Sequence, residues 1–137
     1  MQVPDTLEIL YRDDRLVAVH KPAGLLVHRS AIDRHETRFA LQMLRDQIGR
    51  TVFPVHRLDK PTSGVLLFAL DASGARQLGT VFEAGAIDKA YVAVVRGYAP
   101  ETARIDHPLK DETDPMTDRL ARPDKAARPA ITELRRV

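Results

Sequence analysis

The 137-residue sequence contains no cysteine, which excludes several kinds of site. Disulfide bonds, thiolate nucleophiles and cysteine-ligated metal centres all need a thiol that the chain lacks. The sequence also has no run of about 18 apolar residues, the length that a membrane-spanning helix requires. Residues 1–11 do not have the basic-then-apolar pattern of a secretion signal. We therefore expect a cytoplasmic protein that does not enter a membrane.

Several familiar catalytic patterns are missing as well. There is no glycine-rich phosphate loop, no His-Glu-x-x-His zinc motif, and no informative spacing of serine, histidine and aspartate. The five histidines are scattered along the chain, and no internal repeat occurs. These absences predict that the protein holds no metal.

Composition and charge are those of a soluble globular domain with a basic first half. The sequence is 44% hydrophobic and 29% charged, and its length suits one domain. Residues 20–60 contain eight Lys or Arg against four Asp or Glu, together with four of the five histidines. Arginine outnumbers lysine sixteen to five, and arginine suits phosphate contacts. This pattern favours a polyanionic partner, although a codon bias towards arginine would also produce it.

The most informative stretch is a polar segment, residues 56–64, between two apolar runs at residues 51–55 and 65–70. Pro61 fixes its own φ and cannot donate to a sheet ladder, and Gly64 permits a backbone conformation that other residues resist. The spacing therefore predicts a shaped turn between two strands.

Asp59 is the carboxylate of this turn, and it lies between Arg57 and Lys60. We expect it to be ionised at neutral pH. An ionised carboxylate on a rigid turn can act as a nucleophile, a general base, a metal ligand or simply a turn-forming residue. The residue pattern alone leaves these four roles open.

A resemblance to a known family narrows the choice. Residues 56–64 read His-Arg-Leu-Asp-Lys-Pro-Thr-Ser-Gly and precede Val-Leu-Leu-Phe-Ala. This string closely resembles the catalytic motif of the RluA-type pseudouridine synthases, in which the aspartate is the nucleophile. Residues 21–28 (Lys-Pro-Ala-Gly-Leu-Leu-Val-His) and 89–97 (Lys-Ala-Tyr-Val-Ala-Val-Val-Arg-Gly) resemble two further motifs of that family. The resemblance assigns the nucleophile to Asp59.

The same resemblance implies a set of substrate-binding residues. Arg57 is expected to occupy the space that the flipped base leaves, and Tyr91 is expected to stack on that base. His56 is expected to position the turn rather than to act as an acid or base. Lys21 and Arg29 complete the set. For Lys21 the alternative to a phosphate contact is a solvated strand end with a structural role, and for a lone strand tyrosine the alternative is a core position.

The resemblance also implies the reaction. Pseudouridine differs from uridine only in the base atom that bonds the sugar, so the base must be detached, rotated and reattached, and no cofactor is expected. A carboxylate can hold the sugar or the base covalently during the rotation. Attack at the sugar C1′, attack at the base C6 and simple proton abstraction all remain open.

The implied fold is α+β, with a mixed, mainly antiparallel sheet and flanking helices. Residues 1–137 would form the N-terminal portion of a single catalytic domain, with an irregular polar stretch at 109–129. Members of the family carry a further His-Gln motif whose Arg or Lys supplies a partner cation to the nucleophile, and this sequence has no His-Gln pair. We therefore expect a C-terminally truncated form of low stability.

Hydrophobic periodicity and turn residues predict the individual elements. The predictions are a hairpin at 7–11 and 16–19, helices at 33–49 and 72–84, and strands at 65–70, at 87–97 and from 130 onward.

The expected substrate is RNA, and several segments resemble the tRNA-modifying members more than the ribosomal ones. A uridine in the T-stem of tRNA is therefore the expected target. The alternatives are a ribosomal RNA target and a catalytically incomplete RNA-binding fragment. A structural protein with a solvated basic surface would require the turn motif to be a coincidence.

Overall fold

The computed structural model describes residues 4–29, 35–109 and 126–137. The chain divides into two units, Met1–Lys89 and Ala90–Val137, each with its own antiparallel sheet. The expected α+β class with mainly antiparallel pairing is confirmed. No helix among the described residues is long and apolar enough to cross a membrane. That residues 1–137 belong to one catalytic domain stays a prediction.

The first unit is built on a four-stranded sheet whose order is β1-β2-β4-β3. Its strands are β1 (Glu8–Arg12), β2 (Leu16–Lys21), β3 (Phe53–Pro54) and β4 (Gly64–Ala69). The predicted hairpin is confirmed, and Asp13 closes it because its carboxylate accepts hydrogen bonds from the amides of Arg15 and Leu16. The predicted strand at 65–70 is β4, which pairs with β2 on one side and β3 on the other and so lies inside the sheet.

The core of this unit lies on one face of β2 and β4. Val17 pairs with Phe68 and Val19 with Leu66, and all four side chains are buried. Each such burial stabilises the fold by about 1.5–3 kcal/mol. The turn that contains residue 59 thus leads directly into β4, one of the two strands that carry the core.

The first helix, α1 (Ala40–Ile48), begins seven residues later than the predicted start at 33. The predicted capping pair fails, because Glu36 precedes the helix and binds elsewhere, while residue 33 lies outside the described residues. The amides of Ala40 and Leu41 instead donate to the carbonyls of Leu26 and Val27, at 2.9 Å each. A neighbouring chain segment therefore satisfies the first-turn amides that a capping side chain usually serves. The predicted stop at Gly49 is confirmed.

The second helix, α2 (Ala72–Glu83), matches its prediction. Asp71 is its N-cap, and its carboxylate accepts from the amide of Gly74 at 2.6 Å. The helix packs against β3 and β4, next to the segment that follows β3.

The second unit contains a two-stranded sheet of β5 (Thr102–Asp106) and β6 (Ile131–Arg135). The predicted strand from residue 130 is confirmed as β6. The predicted strand at 87–97 is wrong, because these residues pair with no other described strand. Of the predicted irregular stretch at 109–129, residues 110–125 lie outside the described residues, and Leu109 forms an isolated bridge with Arg128.

Candidate active-site turn

The polar segment between β3 and β4 folds as a turn whose main chain is fixed from two sides. Within it, the amide of Thr62 donates to the carbonyl of Asp59 at 3.0 Å. From outside, the amide of Gly24 donates to the carbonyl of Lys60 at 2.7 Å. Gly24 has φ of +85°, a conformation that glycine adopts without strain. Two of the motifs found in the sequence are therefore hydrogen-bonded to each other.

Lys21 lies beneath this turn and is completely buried, with 0% of its surface exposed. Its ammonium donates to the carbonyls of Leu25 (2.7 Å), Pro22 (3.0 Å) and Lys60 (3.3 Å). An ammonium has three donor hydrogens, so these carbonyls use its whole capacity. The contacts favour a structural role of Lys21 over a phosphate contact, but the expected solvated strand end is wrong, because the side chain is buried under the turn.

Two effects act on the pKa of the Lys21 ammonium, its burial and the negative charge of Asp59. Burial lowers the pKa of the Lys21 ammonium, and the negative charge of Asp59 acts in the opposite direction and raises it. The two side chains therefore interact electrostatically, which makes the buried ammonium a source of positive potential near Asp59.

His56, the first residue of the turn, connects it to two elements of the first unit. Its Nε2 accepts a hydrogen bond from the amide of Leu67 in β4 at 3.0 Å, so this nitrogen carries no proton. Its ring stacks on Phe82 of α2, with centroids 4.8 Å apart and planes at 18°. Burial is the main cause that lowers the pKa of His56. A hydrogen bond with the main chain of Arg57 acts in the opposite direction, and the positive charge of Lys89 lowers the pKa. A neutral, anchored imidazole fits the expected positioning role.

The side chain of Lys60 is also engaged. Its ammonium binds a carboxylate oxygen of Glu36 at 2.7 Å, and both groups are partly exposed. The turn is thus tied to the segment before α1 as well as to residues 21–25. Glu36 was expected to cap a helix, and no sequence pattern pointed to this ion pair.

Asp59 and Arg57 remain exposed on the surface of this anchored turn. The anchoring contacts engage the main chain around them and the side chains of residues 56 and 60, which leaves the carboxylate and the guanidinium facing solvent. A substrate can therefore reach both side chains from solvent. The main chain that carries them cannot shift without breaking several hydrogen bonds, so their positions are fixed before a substrate binds.

The other two predicted site residues, Arg29 and Tyr91, lie outside the turn. Arg29 is exposed, and its guanidinium carbon lies 6.0 Å from the ring centroid of Phe39. Tyr91 belongs to the second unit, outside any strand, with 65% of its surface exposed. The core alternative for Tyr91 is wrong, and its stacking role stays a prediction.

Two partners of the turn were not identified from the sequence, Phe82 and Glu36. Neither could have been found by spacing along the chain, because each is far from the turn in sequence and meets it only through folding. In the described ranges, no three His, Asp or Glu side chains are grouped closely enough to hold a metal ion.

Comparison with protein families assigns the chain to a family. Residues 15–137 match the model of the RNA pseudouridylate synthase family. The chain belongs to this family. The resemblance noted in its motifs is therefore confirmed over most of its length.

Curated relatives of this family are similar along nearly the whole chain. The tRNA pseudouridine synthase C of Pasteurella multocida is 57% identical over 128 residues, which cover 93% of this chain and 53% of the relative. The protein of the same name from Vibrio cholerae is 54% identical, covering 94% of this chain and 53% of the relative. The chain thus spans about half the length of the curated relatives it matches.

Solved structures of two human family members share the fold. The RNA pseudouridylate synthase domain-containing protein 4 has a TM-score of 0.58 and 26% identity, covering 92% of this chain and 52% of that chain. The domain-containing protein 1 has a TM-score of 0.71 and 23% identity, covering 97% and 54% respectively. These likenesses show that the chain shares the fold of pseudouridylate synthase domains.

Proposed function

We propose that this chain provides the nucleophile of an RNA pseudouridine synthase that acts on tRNA, and that Asp59 is the nucleophile. The observation that carries the proposal is the exposed carboxylate on a turn whose main chain is held by Lys21 and Gly24. Relatives that are 54% and 57% identical bear the name tRNA pseudouridine synthase C. A uridine in the T-stem is the proposed target within tRNA.

The proposed reaction is an isomerisation that needs no oxidant or reductant. The Asp59 carboxylate bonds transiently to the nucleotide, and the N1–C1′ bond breaks. The uracil rotates, C5 bonds to C1′, the bond to Asp59 breaks, and the carboxylate is regenerated. The proton on C5 is lost and N1 gains one, so product and substrate have the same atoms.

Rigidity of the turn contributes to this chemistry. Intramolecular reactions gain when the reacting group is held in place before the substrate arrives. The Lys21 ammonium fixes the carbonyl of Lys60, the residue next to Asp59, and it is a positive charge that interacts with the Asp59 carboxylate. Lys21 therefore acts through the main chain and its charge, without touching RNA.

Three exposed side chains complete the proposed interaction with RNA. Arg57 contacts phosphate and fills the space of the extruded base, and Tyr91 stacks on that base. Arg29 binds phosphate on the basic surface. A base must leave its stack for this chemistry, which costs a few kcal/mol, and such contacts offset that cost.

Tritium release tests the nucleophile. The chain is incubated with tRNA whose uridines carry tritium at C5, because forming the new bond must expel that hydrogen. We expect the D59A and D59N variants to lose at least about a thousandfold of the release rate. The matched control is D14A, which removes an exposed carboxylate from the β1–β2 turn and should release tritium like the original chain. Equal release from D59A and the original chain would contradict the assignment.

The half-length coverage of the relatives favours a second candidate, an RNA-binding fragment that does not turn over. A folded chain that binds tRNA in a filter-binding assay and releases no tritium would establish it. In that case the site of Asp59 needs residues that the relatives carry outside the matched region.

A further inference from the structure

Asp59 is followed directly in the sequence by Lys60, but the two side chains do not pair. The Lys60 ammonium binds a carboxylate oxygen of Glu36 at 2.7 Å, although Glu36 lies 24 residues earlier in the chain. In the ranges 4–29, 35–109 and 126–137, no ion pair includes Asp59. The ammonium that follows the candidate nucleophile is therefore directed to a different carboxylate.

Pairing between sequence neighbours is a real alternative, because the first unit contains an example. In α1, the Arg45 guanidinium binds the carboxylate of Asp46, the next residue, at 2.7 Å. This hydrogen bond is the main cause that lowers the pKa of Asp46. A long cationic side chain of this protein can therefore reach the carboxylate beside it and stabilise its charged form.

The main chain near both members of the Lys60–Glu36 pair is fixed. The carbonyl of Lys60 accepts from the amide of Gly24 at 2.7 Å. Three residues after Glu36, Phe39 has only 1% of its surface exposed, and it forms a parallel bridge with Leu26. The two charged side chains therefore start from fixed positions, which favours this one partner for the ammonium.

We propose that Glu36 is a positioning residue for the nucleophile, because it draws the Lys60 ammonium away from Asp59 and leaves that carboxylate open to the nucleotide. The inference rests on the proposed function, since Glu36 acts on the nucleophile through Lys60. An ammonium bound to Asp59 would occupy oxygen lone pairs that the bond to the nucleotide requires, so that ion pair would have to break in every turnover. In this role Glu36 does not touch the RNA.

The first test is the rate of tritium release at saturating tRNA in three variants, E36Q, K60M and E36Q/K60M. E36Q keeps the shape of the side chain but removes its charge, so Lys60 turns to Asp59 and the rate falls by about two- to fivefold, the range for an exposed ion pair. K60M removes the competing ammonium, so K60M and the double variant should both be faster than E36Q.

The comparison of E36Q with K60M separates this role from a purely structural one. If the ion pair only tied the segment before α1 to the turn, both variants would break the same contact and would be equally slow. The matched control is E83Q, the same substitution at an exposed glutamate of α2, which should release tritium like the original chain.

The second test does not need turnover. NMR of the carboxyl carbon of Asp59 is recorded at neutral pH in chains that carry labelled aspartate. We expect E36Q to displace this resonance, because the Lys60 ammonium then lies against the carboxylate. The double variant should give the same resonance as K60M, because no ammonium is left at position 60 to move.

Three results would overturn the inference. One is an Asp59 resonance or a release rate that E36Q leaves unchanged, and another is equal slowness of E36Q and K60M. The third is loss of the folded amide spectrum in E36Q, because Glu36 would then be needed for folding itself. If the original chain releases no tritium, the proposed activity of this chain fails, and the Asp59 resonance alone decides whether Glu36 controls the position of Lys60.

Discussion

Lys21 and Asp59 have different places in the turn: Lys21 is buried and supports the main chain, whereas Asp59 is exposed and available to a substrate. Lys21 has no surface exposed, and its ammonium donates hydrogen bonds to three carbonyls, one of which belongs to the residue after Asp59. A buried charge is costly unless it is well paired, so its presence needs a compensating set of acceptors, which the turn supplies. The carboxylate thereby stays exposed on a main chain that cannot easily move.

Replacing Lys21 by methionine should destabilise the protein. K21M keeps an unbranched chain of similar length but removes the ammonium that donates to the carbonyls of Pro22 and Leu25 and one of the two donors to the carbonyl of Lys60. We expect a cost of about 1–3 kcal/mol in the free energy of unfolding. Urea unfolding monitored by circular dichroism measures the change. K89M, the same substitution at an exposed lysine, should stay within about 0.5 kcal/mol of the original chain. If K21M and K89M unfold at the same urea concentration, the carbonyl contacts contribute nothing.

At the level of elements, the local signals in the sequence located most of the fold. The hairpin of β1 and β2, the central strand β4, α2 with its Asp71 cap, and β6 all lie where periodicity and turn residues placed them. These elements are set by residues close together in sequence, such as Asp13 bonding the amides two and three positions later. The chain therefore encodes them locally.

The predictions from sequence fail for features that depend on contacts between residues far apart in the chain. The start of α1 is fixed by the carbonyls of residues 26 and 27, which no helix rule considers. Residues 90–98 have the residue types of a strand but pair with no described strand, and residue type alone does not provide a hydrogen-bonding neighbour. In the turn, Asp59, Arg57 and His56 were identified through the motif, whereas Phe82 and Glu36 required the structure.

His56 connects the turn to β4 and α2, and its protonation should weaken the contacts between these three parts of the fold. Because its pKa is lowered in the folded chain, the unfolded chain binds the proton first as the pH falls. The free energy of unfolding should therefore be undiminished above about pH 6.5 and should decrease below it, until the pH reaches the lowered folded pKa. Urea unfolding at a series of pH values measures this decrease.

Glutamine at position 56 provides the comparison. H56Q can keep an acceptor for the Leu67 amide but does not titrate, so its stability should depend less on pH between about 4 and 7 than that of the original chain. H28Q, at an exposed histidine, should follow the original chain. Parallel pH curves for H56Q and the original chain would show that the imidazole is not the group responsible.

At the scale of the whole molecule, positive charge is concentrated in the part of the chain that contains the turn. Residues 20–60 have eight basic against four acidic residues, whereas the net charge of the entire chain is only +2. Such a distribution creates a local field for a polyanion even though the overall charge is small. The proposed RNA contact should therefore be electrostatic and directed to one surface.

Binding of tRNA should weaken as salt is added, because phosphate contacts release counterions. We expect at least about a tenfold loss of affinity between about 50 and 200 mM salt in a fluorescence-anisotropy titration. R57E and R29E should each weaken binding and reduce the salt slope by about one. R104E, which reverses an exposed charge in the second unit, is the matched control. A loss with R104E as large as with R57E would locate the RNA on a different surface.

The carbonyl of Lys60 accepts hydrogen bonds from Gly24 and from Lys21, so this part of the contribution of residue 60 to the turn comes from an atom that every amino acid possesses. Mutational drift can therefore change its side chain while the geometry next to Asp59 persists. In a family comparison such a position would look dispensable. A search for active turns that weighs only invariant side chains would overlook the residue whose main chain holds Asp59 in place.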